Sequence, residues 1–586
     1  MHCKTVRNLL GLIALITVVW AQPLRAQAPL EPSQLPPRTL FYVIWRGVPQ
    51  ASVRTANSLM ALWDDPDFVT VRSELAANML SSSEKQSAQP KLTPQELGEF
   101  ASLLENSFTV GYISESARHR AANAAAPAGT KPPAWNGMFF VYNRAGKEEL
   151  LTKAILRMRS AEKEIPRLSQ VTIAGVQVLK IEHKSDASYW AEHGKYAVAT
   201  SEAGVMEELL ARLENKSPQA ASLAQSAAYQ EAQPLVGSGL LEFFLRVPDL
   251  KDFAADSKPG PFQARQVLDA ARLEAVHSLC GHVTFDGAKT HVQAAILGDT
   301  AAGTPFDIWA NGSAAPASLA FAPADTISYT TGQLNLLGIY DTIKRVARAA
   351  FPVGQQGNAD LLDMMAEKRL GMPLTDALGL FTGEFASVQT SPSLDSTKQV
   401  FYFAIRKKPE TLKLMRAMFG DQLTSERNEG DATLLKISLG GNQGSAGVAQ
   451  WNFFNLAVTP DMVIGASRID TVREALANRA KVSATAGLAS VPQFQANRAN
   501  APENLTGLSY FDFQKVDWQA VKDHWIQEAK KTSVAKSATG TNPPAAANST
   551  EWLSQINAQI VSRHLHTSWS VSWKDAKGVH WDQWVE

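Results

Sequence analysis

Phe139–Leu150 reads FFVYNRAGKEEL, and 262 residues later Phe401–Leu412 reads FYFAIRKKPETL. Each is an aromatic, strand-forming run that breaks on basic residues and passes into an acidic, helix-forming segment. One such echo carries little weight alone, so the fold reading depends on further echoes in the same order. Upstream, Pro36–Tyr42 (PPRTLFY) returns as Pro323–Tyr329 (PADTISY), 287 residues on. Downstream, Leu179-Lys180-Ile181 returns as Leu435-Lys436-Ile437 at 256, and Ala199-Thr200-Ser201 as Gly465-Ala466-Ser467 at 266. Gly239–Asp249 (GLLEFFLRVPD) returns as Gly507–Asp517 (GLSYFDFQKVD) at 268, and Asp286 with His291 as Asp575 with His580 at 289.

The changes in spacing fall beside loop-like tracts: Ala121–Pro133, Gly440–Gly447 and Lys530–Thr550. Surface loops tolerate insertion, so a duplicated chain drifts in length at such places. The sequence therefore predicts an α+β protein of two tandem copies of one module, each an antiparallel-rich sheet covered by helices on one face. Copy one is placed at 31–300 and a linker at 301–320, around the small, polar Asn311–Ser318. Copy two is placed at 321–586, with a flexible insert at 530–550.

Within a module the expected order begins with a strand, Thr39–Trp45 or Thr326–Thr331. Helices follow, as in Leu336, Tyr340, Ile343 and Ala347 at helical spacing. Hairpins are expected around Ala174-Gly175, His193-Gly194-Lys195 and Thr459-Pro460-Asp461. Thr200 or Ser201 is the expected N-cap of the next helix. A closing ribbon alternates Trp569, Val571 and Trp573 with serines, which puts the large side chains on one sheet face.

The N-terminus has the layout of a signal peptide (1–26): Lys4 and Arg7, the apolar run Leu9–Ala21, then Ala26-Gln27-Ala28. Cleavage after Ala26 is preferred to cleavage after Ala28, which would leave Pro29 first. Periplasmic or secreted location follows, and no later run of about 18 apolar residues predicts an integral membrane span. Removing Cys3 leaves Cys280 as the single cysteine, so no internal disulfide is expected. Lys+Arg and Asp+Glu balance at 56 each, so no overall basic field favours nucleic acid.

Candidate chemistry is sparse. Gly440–Gly447 lacks the lysine and the strand–loop–helix order of a phosphate cradle and reads as a hairpin loop. His277, Cys280 and His282 have ligand-type side chains but no fourth partner, and read as a strand junction with a buried thiol. His291 and His580 recur beside similar turns, a pattern equally suited to packing. Trp518, Trp525, Trp552, Trp569, Trp573, Trp581 and Trp584 cluster late in the chain and suit either core packing or an aromatic groove. Asn215, Asn311, Asn504 and Asn548 open glycosylation-type triplets. No residue is assigned as catalytic, and no cofactor or metal is expected.

The Pro-x-x-Thr strand at Pro323, Gly383-Glu384-Phe385-Ala386 and the block Phe401–Leu412 together resemble a family of uncharacterised exported bacterial proteins with a domain of unknown function. The resemblance covers mainly Phe321–Asp517. It implies export and a bacterial source, and it brings no activity with it. The expected function is a non-enzymatic binding or assembly protein of the periplasm, with an unknown protein or an apolar small molecule as partner. The alternatives are a hydrolase with an unrecognised active site and a structural envelope protein.

Overall fold

The computed structural model describes residues 30–69, 71, 96, 99–100, 102–114, 137–160, 166–182, 187–214, 221–237, 239–250, 264–312, 316–351, 357–395, 398–438, 453–482, 487–527 and 557–586. The expected signal peptide, the Ala121–Pro133 and Gly440–Gly447 tracts, the 530–550 insert, Trp552, Asn215 and Asn548 lie outside them. The chain is a mixed α+β protein with a large antiparallel sheet content. It packs as two units, one drawn from residues up to 257, 277–294 and 525–564, the other from 258–276, 295–524 and 565–586.

The first ten strands are β1 (Thr39–Trp45), β2 (Phe108–Ile113), β3 (Met138–Asn143), β4 (Arg167–Ile173), β5 (Val176–Glu182), β6 (Ala187–His193), β7 (Tyr196–Thr200), β8 (Leu241–Arg246), β9 (Val276–Asp286) and β10 (Lys289–Gly298). Their pairing order is β4–β5–β6–β7–β3–β2–β1–β8–β9, antiparallel throughout, and β10 follows β9. The second ten are β11 (Ser328–Gln333), β12 (Phe381–Gln389), β13 (Gln399–Ile405), β14 (Leu423–Glu429), β15 (Ala432–Ser438), β16 (Phe453–Val458), β17 (Met462–Ala466), β18 (Leu505–Asp512), β19 (Thr567–Lys574) and β20 (Gly578–Val585). They pair in the order β14–β15–β16–β17–β13–β12–β11–β18–β19–β20. Strand for strand, the two orders are the same.

Local chemistry explains the hairpins. Ala174 (φ 52°) and Gly175 (φ 81°) are both left-handed, which makes the β4–β5 connection a type I′ turn. The β14–β15 connection turns at Gly430 (φ 61°) followed by Asp431, the II′ solution to the same two-residue span. Three cross-strand glycine–phenylalanine pairs recur: Gly111 with Phe139, Gly281 with Phe243, and Gly332 with Phe385. In each the outer end of the ring lies 2.6–2.7 Å from where a Cβ on the glycine would stand.

Each unit buries both sheet faces in part, so the expected one-sided helix cover is corrected. In the first unit the helix Ala203–Leu213 buries Val205, Met206, Leu209 and Leu210. On the other face Trp45, Phe108, Val110 and Tyr142 are buried with Leu151 of the helix Glu148–Ser160. In the second unit Tyr329, Tyr402, Tyr510 and Trp569 form one core with Phe321 and Phe494. Leu412 and Met415 of the helix Lys408–Phe419 pack on Leu435, Ile437 and Val458. Phe494 meets Tyr329, Tyr510 and Trp569 edge-on, with ring centres 6.5, 5.6 and 5.2 Å away, the geometry favoured by ring quadrupoles.

Three further expectations are amended. Neither Thr200 nor Ser201 caps the helix Ala203–Leu213; Glu202 is its N-cap, and Thr200 Oγ1 donates to the Glu202 carbonyl at 3.0 Å. The 301–320 segment contains two 3-10 turns, Pro305–Ile308 and Ala317–Phe321, that bury Phe306 and Phe321. The strand pairing also shifts two of the matches. Ala199 faces Phe140 where Gly465 faces Phe401, so Phe140 and not Phe139 occupies the place of Phe401. Tyr42 faces Phe244 where Tyr329 faces Tyr510, which moves the later match by two residues.

Candidate functional site

The side chains singled out from the sequence are held apart. His277 Nδ1 lies 2.8 Å from Glu231 Oε2. His282 Nδ1 donates to the Leu235 carbonyl at 2.7 Å, since a carbonyl can only accept. Between them in sequence, Cys280 is fully buried, and burial, helped by the Glu231 charge, pushes its thiol up to about 12. A zinc ligand must be a thiolate, which this setting disfavours. Among the described residues no group of three His, Cys, Asp or Glu side chains is placed to hold a metal ion.

His580 stacks on Trp573 at 5.1 Å, and its Nε2 lies 3.1 Å from Asp575 Oδ1. The same carboxylate oxygen accepts the Lys577 and Gly578 N–H groups at 2.7 and 3.1 Å. Burial pushes the Asp575 carboxyl up, but these hydrogen bonds outweigh it and hold the group below its ordinary range. His580 thus packs and closes a turn. His291 sits half-buried on β10. The tryptophans do not line one groove: Trp569 is core, Trp573 and Trp584 pack against that core, Trp518 stacks on Phe513, and Trp525 and Trp581 are exposed.

A shallow cleft, open to solvent and of about 20 Å³, lies at Gln333, Glu384 and Thr506. Its carboxylate is already engaged: Glu384 accepts the backbone N–H groups of Ala317 and Ser318 at 3.1 and 2.8 Å. That use is structural.

The feature that stands out is a row across the second unit's sheet. Reading strand to strand, Phe401, Ser387, Thr330, Ser509, Ser570 and Gln583 stand side by side on β13, β12, β11, β18, β19 and β20. Ser509 donates to Thr330 Oγ1 at 3.2 Å, and Gln399 Nε2 donates to Ser387 Oγ at 2.9 Å. Thr330 is exposed and the serines are half-buried, while two residues along, Phe403 is 44% exposed. The corresponding row in the first unit is Phe140, Val110, Val43, Phe243 and Gly281. There Val110 is core, and Phe140 and Val43 pack against it. One sheet position is therefore apolar in the first unit, and in the second it is hydroxylated, half-buried along most of its length and exposed at Thr330.

The helices of the second unit behave accordingly. Leu336–Ala350 is strongly amphipathic yet has no buried residue. It packs against the helices Ala264–Ala270, Asn358–Leu370 and Leu374–Gly379 and the turn Pro305–Ile308. Among the described residues eleven large hydrophobic side chains are exposed, and seven of them fall between Leu337 and Met418. Their basic neighbours are paired: Lys344 with Asp360 and Asp363, Arg348 with Asp360, and Arg345 with the Ala270 carbonyl. Nothing in the sequence distinguished this apolar stripe from a core-facing one, because helical spacing does not say whether a partner is present. No described helix is long and apolar enough to cross a membrane. Compared with known protein families, with curated proteins and with solved structures, the chain matches none.

Proposed function

We propose that the chain is an exported bacterial protein of the periplasm, built from two descendants of one module, and that it acts by binding and not by catalysis. The shared strand order, reproduced over ten strands with the same hairpins in the same places, supports descent from one module. The signal-like N-terminus and the family resemblance around Gly383–Ala386 support export.

The observation that carries the binding role is the contrast between the two sheet rows. A module that lines this position with apolar side chains in one copy and with hydroxyls in the other has kept the architecture while changing the surface. The same unit exposes seven large apolar side chains between Leu337 and Met418, and exposed apolar surface is a usual mark of an interaction site. Exposed Met364, Met365 and Met418 suit a protein partner, since methionine adapts its shape to what it meets. An anionic membrane surface fits less well, because Lys344, Arg345 and Arg348 are already engaged within the unit.

The test is site-specific photo-crosslinking in cells that make the protein naturally. A crosslinker at Met365 is expected to give a discrete protein adduct, lost when Ile343 and Met364 are changed to aspartate. A crosslinker at Glu192, exposed on β6, serves as the control. Absence of a Met365 adduct, or the same adduct from Glu192, would reject the reading.

A further inference from the structure

The two outermost strands, β4 and β14, occupy the same place in their sheets but differ in chemistry. Each is tied on one side to its hairpin partner, and among the described residues neither pairs on the other side. In a two-residue hairpin the residues flanking the turn exchange both backbone hydrogen bonds, and alternate residues then point away. Ile173 and Val176 flank the first turn, so Ile173, Val171 and Ser169 bond to β5. Leu168, Gln170 and Thr172 therefore direct three N–H and three C=O groups outward. Glu429 and Ala432 flank the second turn, so Asn428 and Glu426 are the outward set there, and the pairing slips beyond them at Thr424.

Exposed strand edges template further pairing unless something prevents it. β14 is guarded: Glu426 and Glu429 are charged, and each is held by an arginine, Arg416 and Arg473, at 2.6 Å. A second β14 laid antiparallel about this strand's centre would set Glu426 against its own copy. β4 has no such guard. Its sequence, RLSQVTI, contains no proline and a single charge at one end, and Leu168 is 51% exposed.

From this contrast we infer that β4 is a self-association edge, and that two copies of the chain pair β4 to β4 antiparallel about a two-fold axis at Gln170. In that register Gln170 faces Gln170 of the second copy and Leu168 faces Thr172, so all six outward groups of each strand find partners. Arg167 falls opposite Ile173, and no like charges meet. The contact is isologous and closes at two chains. This goes beyond the binding surface proposed above, because the first unit carries it.

The test is register-specific crosslinking of the full chain. Residues facing each other in a hydrogen-bonded antiparallel pair have Cα atoms about 5.5 Å apart, within disulfide range. Gln170→Cys is expected to give a covalent dimer under mild oxidation. Leu168→Cys is not, because its own copy lies four residues along the strand, roughly 13 Å away. In sedimentation velocity the unmodified protein is expected to double in mass as concentration rises. Gln170→Pro and Gln170→Lys are expected to hold it at one chain, with the Tm unchanged at dilutions where the parent is also a single chain, because the Gln170 N–H does not serve β5. Three results would overturn the inference: a single chain at every concentration, a dimer that survives both substitutions, or equal crosslinking from the two cysteine variants.

Discussion

Replacing Arg46 by methionine removes the partner of Glu242, the most deeply buried carboxylate among the described residues of the first unit. Glu242 is 1% exposed, and its Oε1 accepts from Arg46 Nη2 at 2.6 Å. Arg46 also reaches Glu31 at 2.6 Å and the Gly239 carbonyl at 3.0 Å. Burial raises the Glu242 pKa, and the Arg46 hydrogen bond and charge pull against that rise. Methionine keeps the length of the side chain and removes the opposing pull. An uncompensated buried charge costs about 3–5 kcal/mol, so Arg46→Met should lose about that much near pH 7.5.

The pH dependence separates charge from packing. A carboxyl whose folded pKa is raised holds its proton more tightly when folded. Its favourable contribution is therefore complete below its unfolded pKa, near 4.3, and disappears as pH rises through the folded value. Removing Arg46 widens that gap. The deficit should shrink on acidification by up to about 1.4 kcal/mol per pH unit, as Glu242 takes up its proton. Losing the Gly239 bond should leave a residue of about 1 kcal/mol that pH does not move. Urea denaturation of both proteins between roughly pH 5 and 8 measures this. The Glu242→Gln, Arg46→Met double variant should recover most of the neutral-pH loss. A deficit that stayed constant with pH, or a double variant as unstable as Arg46→Met, would refute the argument.

Phe494→Ala removes the ring on which Tyr329, Tyr510 and Trp569 converge and should cost about 3–5 kcal/mol, with a smaller loss for Phe494→Leu; calorimetry decides. Gly383 has φ +97°, and a Cβ there would stand 1.9 Å from the Leu334 carbonyl oxygen. Gly383→Ala should therefore cost about 3 kcal/mol or more, read as a lowered urea midpoint. The Cys280 thiol, held up at about 12, should resist a thiol reagent at pH 8 in the native protein and react on unfolding. Fast native labelling would contradict its burial. Asp65, 7% exposed on its side chain, receives hydrogen bonds from His564 and Arg563 at 2.8 Å. Burial pushes its carboxyl up, but these bonds outweigh it and hold the pKa low. A depressed carboxyl stabilises above its unfolded value near 3.9, and that contribution is lost as pH falls through the folded one. Asp65→Asn should thus lose stability at neutral pH and converge with the parent protein only once pH has fallen below the folded pKa, as denaturation curves would show.

Much of the architecture was legible because strands and tight turns announce themselves locally. Thr39–Trp45 matches β1 to the residue, and Ala174-Gly175 is the turn that its chemistry requires. The exact matching of strands was not legible. Aligning Phe139 with Phe401 pairs like residue types, yet it sets a fully buried ring against a half-buried one. Only inter-strand hydrogen bonding reveals the one-residue shift. The irregular register between Phe381 and Phe385, around the left-handed Gly383, is of the same kind: a local insertion that side-chain identity does not show. The candidate surface was the least visible part. Leu336, Tyr340, Ile343 and Ala347 sit at spacing that would serve a buried helix equally well, yet the helix buries none of them, because exposure belongs to the assembled unit and not to the segment.

The rings seated on Gly111, Gly281 and Gly332 have a consequence for how this protein can change over generations. In each pair the vacancy on one strand is the seat of the ring on its neighbour, so neither site is free to vary alone. A side chain placed at the glycine evicts the ring, and a smaller residue in place of the ring bares the backbone beneath it. At Gly111 and Gly281 a Cβ would also meet a backbone oxygen, of Phe41 and of Gln293, so those two glycines should stay fixed, while Gly332 should change only in step with Phe385.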